Sequence, residues 1–184
     1  MIIPAIERRR ASRALSSEPI PDTDLREILT AGTLAPSCYN NQPWRVVVAR
    51  GGGTLPKVKE ALAEGNAWAR NAPVILALAT RACDDCRLDE GRDYAHFDLG
   101  LLAMNLMLQA TELGYVAHPI AGFNPKKVRT ALGIPKDYDV VTLIIIGKPG
   151  QPENLEEWQM KAETSPRERK MLEDVAFFEK WPEG

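Results

Sequence analysis

Apolar residues fall along this chain in two kinds of run. Val74–Thr80 and Val140–Gly147 are short and almost unbroken, the second carrying Val141, Leu143, Ile144, Ile145 and Ile146. Continuous rather than alternating runs of this kind predict strands covered by helices on both faces. Two shorter strands are expected at Arg45–Ala49 and Val116–Ile120. Elsewhere the spacing is helical. A first helix is expected over Ala5–Ala14, and a second from Asp22 or Thr23 to Thr33, with Leu25, Ile28 and Leu29 on one face. Leu55, Val58, Ala61 and Leu62 trace a short helix after the Gly51-Gly52-Gly53 turn, and Pro125–Leu132 another, closed by Gly133.

The longest helix is expected from Tyr94 to Leu113, and it is apolar nearly all round. Phe97, Leu101, Met104 and Leu108 form one stripe, while Leu99, Leu102, Leu106 and Met107 fill the other sides. Such a helix belongs inside a protein or an assembly, and complete burial in a chain this short calls for a second subunit. Asp98, Asn105 and Gln109 interrupt it, which argues against a membrane span. Helices and strands interleave too irregularly for a doubly wound sheet. The expected architecture is α+β, a central mixed, mainly antiparallel sheet covered by helices.

Past Gly150 the chain becomes polar and proline-punctuated, yet it carries Trp158, Phe177, Phe178 and Trp181. Residues 1–184 are therefore read as one domain, with 150–184 a C-terminal extension packing on its own or a partner subunit.

Composition narrows the function classes. Of 184 residues, 45% are hydrophobic and 26% charged, which suits a soluble globular protein with ample core. A net charge of −2 argues against a general affinity for nucleic acid or membrane. Three cysteines and no apolar leader segment are read as a reduced, cytoplasmic chain. Cys83-Asp84-Asp85-Cys86 has redox or zinc spacing, but it lacks a second ligand pair and sits in an acidic loop. A structural role is expected for it, and no metal site.

The positive charge says more. Arg8, Arg9, Arg10 and Arg13 sit together, and on a helix Arg9 and Arg13 would share a face and clamp one anion. Arg167 and Arg169 form a second cluster. The two suit a phosphate if the fold brings them together; otherwise each is a solvated basic face. Pro36-Ser37-Cys38-Tyr39-Asn40-Asn41-Gln42-Pro43-Trp44 offers amides and hydroxyls able to read a flat heterocycle, and equally fits a capped surface loop.

Taken in order, these blocks resemble the nitroreductase family of FMN-dependent oxidoreductases. Arg9-Arg10-Ala11-Ser12-Arg13 is similar to its Arg-Arg-Ser-x-Arg, and Ala35 to Trp44 to its Ala-Pro-Ser-x-x-Asn-x-Gln-Pro-Trp. Gly65-Asn66 with Trp68, Ala72-Pro73, Asp98-Leu99-Gly100, Pro119 to Phe123 and Gly147-Lys148-Pro149 follow its later blocks. The resemblance implies an intertwined homodimer with FMN at the subunit interface and NADH or NADPH as reductant. It implies that Arg9, Arg10, Arg167 and Arg169 meet the phosphate and ribityl chain, and that Arg13 and Asn66 face the pyrimidine edge. Pro36, Ser37, Cys38 and Asn40 would arrive from the other subunit, and Ala121 and Gly122 would lie near N5. Ala11 departs from the pattern by removing one hydroxyl contact. Ala121 stands where many members have Glu, and a backbone N–H contact survives that change.

The expected activity passes hydride or electrons from NAD(P)H through the flavin to a small electron-poor acceptor such as a nitroaromatic, quinone or enone. No side-chain catalyst is required, because the flavin carries the chemistry. The competing expectations are an FMN enzyme of another type (dehydrogenation, dehalogenation, flavin chemistry) and a non-catalytic dimeric binding protein. The segment Arg81–Arg92 is the expected lid, acidic and short enough to predict a shallow site.

Overall fold

The computed structural model describes residues 1–182. Four strands form one sheet in the order β1 (Trp44–Arg50), β2 (Val74–Thr80), β4 (Asp139–Gly147), β3 (Val116–Ile120). Every pairing is antiparallel, so the mixed sheet expected from the sequence is corrected to a fully antiparallel one. An apolar run reads the same whichever way its neighbour travels, so the pattern could not set direction.

The continuous apolar runs do mean what they predict. β2 is buried at every position and pairs with β4 through Val74↔Ile146, Ile75↔Ile145, Leu76↔Ile144 and Ala77↔Leu143. Alternation then divides these residues between two cores. Leu76, Leu78, Ile144 and Ile146 face α2 (Asp22–Thr33) and α4 (Tyr94–Glu112), meeting Ile28, Leu99, Leu102 and Leu106. Ile75, Ala77, Leu143 and Ile145 face the opposite way, toward Val58 of α3 (Leu55–Lys59), Val128 of α5 (Pro125–Leu132) and Trp68. Each fully buried Leu or Ile contributes about 1.5–3 kcal/mol of transfer free energy, so the central strands dominate stability. Gly32 lets α2 approach α4 closely: a Cβ there would lie 2.6 Å from Leu106 Cδ2.

Local chemistry sets the helix ends. Asp93 caps α4 by accepting from the His96 N–H at 3.3 Å, and its other oxygen lies 2.7 Å from His96 Nδ1. Asn124 caps α5 through the Lys127 N–H, Pro125 opens that helix, and Gly133 closes it with φ +66. Glu156 and Gln159 form a reciprocal capping box at the start of α6 (Glu157–Thr164).

Two other expectations are corrected. The first helix, α1, covers only Pro4–Arg8 instead of Ala5–Ala14, and Arg9 leaves it with ψ 123. Continuing it would stack four arginines on one short helix, whereas the extended path spreads them along a cavity. Arg9 and Arg13 therefore do not share a helical face. The cysteines are not all free: Cys38 and Cys86 form a disulfide across 48 residues, leaving Cys83 exposed and unbridged. Cys38 is far from Cys86 in sequence, but its loop and the segment 81–92 lie against each other. On the C-terminal extension, Trp158 is half exposed and Phe178 and Trp181 almost fully so. Phe97 and Met104 on α4 are exposed too. Residues 183–184 of the expected domain lie outside the described residues. No helix among the described residues is long and apolar enough to cross a membrane.

Candidate functional site

Two segments far apart in the sequence meet here. Arg9, Arg10, Ala11, Ser12 and Arg13 form one wall of a cavity of about 230 Å³, and Ala162, Glu163, Arg167 and Arg169 form the other. The walls are stitched together by hydrogen bonds. The Arg13 N–H donates to Glu163 Oε1 at 2.6 Å, the Arg10 guanidinium to the Ser165 carbonyl, and the Arg167 guanidinium to the Ile6 carbonyl at 3.1 Å. Five arginines thus share one small space with a single carboxylate. Burial lowers the pKa of the Arg9 guanidinium below its ordinary value, and the Arg167 and Arg169 charges lower it further. A site that crowds cations against each other in this way is built for an anion.

His118 joins this cavity to the next block of the site. Its ring stacks on Trp68 at 4.6 Å between centroids, and its Nδ1 lies 3.0 Å from the Ser12 carbonyl. Burial lowers the imidazole pKa, so the ring is neutral near pH 7 and donates its Nδ1 proton. Nothing in the spacing around His118 signals this bracing role, because both of its partners are distant in sequence. Two residues before Trp68, Asn66 donates from Nδ2 to the Gly122 carbonyl at 2.9 Å, and the Ala63 N–H donates to the same oxygen at 3.0 Å. A Cβ on Gly122 would sit 2.5 Å from Asn66 Nδ2, so glycine is required for this contact. Arg13 lies over the Trp158 ring at 5.1 Å, tying the N-terminal wall to α6.

Pro36, Ser37, Cys38 and Asn40 do not line the arginine cavity. Their loop lies instead against α4 and the segment 81–92. The Cys38 N–H donates to Asp98 Oδ2 at 2.8 Å, and Asn41 Nδ2 to Asp85 Oδ1 at 3.2 Å. Three residues of the loop, Tyr39, Asn40 and Gln42, hold positive φ of 47, 60 and 51 degrees. Such dihedrals persist only where neighbours enforce them. Here the Ser37 hydroxyl accepts from the Gln42 N–H and the Asn40 carbonyl accepts from Gln42 Nε2. Beneath the loop, Asp98 is buried, and desolvation together with the neighbouring charge of Asp85 raises its pKa.

The fold is a fully antiparallel α+β one, with an arginine cavity where the two segments join and a strained amide loop away from it. The family model for the nitroreductase family matches residues 6–67 and 61–148. A protein named NADH dehydrogenase from Thermus thermophilus is 33% identical over 178 residues, covering 78% of this chain and 84% of its own. A putative NADH dehydrogenase/NAD(P)H nitroreductase from Archaeoglobus fulgidus is 32% identical over 150 residues, covering 78% and 83%. A crystal structure described as an oxidoreductase containing FMN superposes with a TM-score of 0.87 at 32% identity, covering 99% of this chain and 93% of that one. The chain belongs to the nitroreductase family, and with it to the FMN-dependent oxidoreductases that use NAD(P)H.

Proposed function

We propose that this chain, as a homodimer, transfers hydride or electrons from NADH or NADPH through FMN to a small electron-poor acceptor such as a nitroaromatic, quinone or enone. The observation that carries the reading is the cavity of five arginines with one carboxylate, which suits the phosphate end of FMN. Guanidinium forks bind a phosphate bidentately and keep their charge at any physiological pH. Arg9, Arg10, Arg167 and Arg169 hold the phosphate and ribityl chain in this reading. Arg13 and Asn66 take the pyrimidine edge, where a cation stabilises the negative charge of the reduced ring. Neither the Ala121 nor the Gly122 N–H has an acceptor among the described residues, so both remain available near N5. Ala121 therefore serves through its backbone, and Ala11 costs one hydroxyl contact without opening the arginine cavity.

When bound, FMN supplies the hydride-accepting and hydride-donating centre. The protein binds, orients and tunes it, and the His118–Ser12 contact keeps the arginine wall in place.

Pro36, Ser37, Cys38 and Asn40 complete the site of the partner subunit. Their distance from the arginine cavity within one chain supports this, as do the exposed Phe97 and Met104 on α4 and the exposed Phe178 and Trp181 on the tail. Residues 1–184 then act as one domain whose C-terminal extension, from 150 onward, closes on the second subunit. The short segment 81–92 leaves the acceptor side shallow and admits small molecules.

The test is a visible absorption spectrum of the purified protein, repeated after anaerobic addition of NADH and then NADPH. A flavin spectrum bleached by one of them is expected. A protein that neither carries nor takes up FMN would overturn the reading.

A further inference from the structure

We propose that Cys38, Cys83 and Cys86 form a thiol-exchange site, opened by dithiols, whose Cys38–Cys86 disulfide latches the loop Pro36–Pro43 onto the segment 81–92. The bridge joins the strained loop to that segment with the two Cα atoms 6.1 Å apart, inside the ordinary range for a disulfide. The latch has few other fastenings. Between the two segments run the Asn41–Asp85 hydrogen bond and the contact of Asn41 Nδ2 with the Cys86 sulfur at 3.7 Å. The loop stores three left-handed dihedrals at non-glycine residues, so it has a relaxed conformation to fall into once a restraint is lost.

The site is reachable. Cys83 is exposed on the short helical turn Ala82–Asp84, and Cys86 is only half-buried. The acidic neighbours that argued against thiol chemistry are largely spoken for. Asp84 is held by Arg81 at 2.8 Å and by the Tyr138 hydroxyl at 3.0 Å, with Arg45 nearby, while Asp85 is buried and accepts from Asn41 Nδ2 at 3.2 Å.

The proposed site works in two steps. In the first, the Cys83 thiolate attacks the Cys86 sulfur; the Cys38–Cys86 bond breaks, Cys83–Cys86 forms, and the electron pair leaves on Cys38, which takes up a proton. No net oxidation occurs. In the second, an external dithiol passes two electrons and two protons to the bridged pair and departs as its own disulfide. Either step frees Cys38, and with it the loop carrying Pro36, Ser37 and Asn40. The consequence for the cofactor rests on the FMN reading above; the latch itself does not.

The experiment places the full-length protein, with FMN, in dithiothreitol buffers poised from oxidising to reducing. Thiols are counted and mapped by maleimide labelling, tryptic cleavage is followed at the exposed Arg87 and Arg92, and FMN affinity is read from flavin fluorescence. Under oxidising conditions the Cys38–Cys86 isomer dominates, so Cys83 labels first and the segment resists trypsin. On reduction all three cysteines label, cleavage accelerates, and the Kd for FMN rises about tenfold, the size expected when restraint is removed from strained backbone. Cys86→Ser behaves as the reduced protein in every buffer, and Cys83→Ser opens more slowly with a monothiol. Failure to find the Cys38–Cys86 peptide at any poise would overturn the proposal, as would reduction that leaves cleavage unchanged. If FMN binds in neither state, the functional reading fails while the thiol count and the cleavage rate still decide the latch. A Cys83→Ser variant that opens at the wild-type rate removes Cys83 from the site.

Discussion

His118 donates its Nδ1 proton to the carbonyl of Ser12, 106 residues earlier in the chain, while its ring rests on Trp68. One neutral imidazole therefore positions the arginine segment against the strand that leads to Ala121 and Gly122. Its pKa lies below the usual 6.5, chiefly through burial, so the unfolded chain takes up a proton first as pH falls. Stability contributed by the neutral ring is full above about pH 6.5 and is lost as pH drops through the folded value. His118→Gln should flatten this loss below about pH 6.5, with urea unfolding as the measurement. Parallel curves for the two proteins would remove His118 from the account.

Gly122→Ala should weaken FMN binding while barely moving the melting temperature. The added Cβ meets the Asn66 amide at 2.5 Å and pushes it from the Gly122 carbonyl. Losing that hydrogen bond at a part-exposed position costs about 1 kcal/mol, and the displaced Asn66 no longer faces the pyrimidine edge. Equilibrium dialysis against FMN, beside a thermal melt, distinguishes a lost contact from a lost fold.

Arg13→Ala should reduce FMN retention or make the bound flavin harder to reduce, with the protein still folded. Arg13 also covers Trp158, so a loss of packing is expected alongside the lost charge. Flavin content per chain and the anaerobic reduction rate report the two effects separately. If neither changes, the placement of Arg13 at the pyrimidine edge is wrong.

Asp98 offers a sharper contrast between two substitutions. Asp98→Asn keeps an acceptor for the Cys38 N–H and supplies a permanent donor toward Asp85, so its stability should stay close to wild type. Asp98→Ala leaves the Cys38 N–H without its acceptor and should cost about 2 kcal/mol. Denaturant midpoints decide; equal losses in both variants would show that the Cys38 N–H contact is not what Asp98 contributes.

Much of this is legible in the residues, for identifiable reasons. An unbroken apolar strand needs no tertiary knowledge to be read: Leu143, Ile144, Ile145 and Ile146 are apolar without a gap because both sheet faces are covered, and the helices flanking them follow. The conjunction of Arg9–Arg13 with Arg167 and Arg169 rests on the family resemblance rather than on spacing. The path of the arginines departs from the helix expected over Ala5–Ala14 because helical periodicity is a local signal, and like-charge crowding at a shared cavity overrides it. Strand direction and the Cys38–Cys86 bridge are invisible for a different reason. Each is a relation between distant segments, and neither leaves a mark on the segments themselves.

The arginine cavity has its two walls far apart in the chain, with the Arg167 guanidinium bonded to a carbonyl 161 residues earlier. A ribosome making this chain delivers the first wall well before the sheet and the second only after it. Until Arg167 and Arg169 have emerged the arginine cavity is incomplete, however well the sheet has already formed. In the proposed reading cofactor capture is thus a late event in biogenesis, and an anion held there would serve as a clasp that ties an early-made segment to a late-made one.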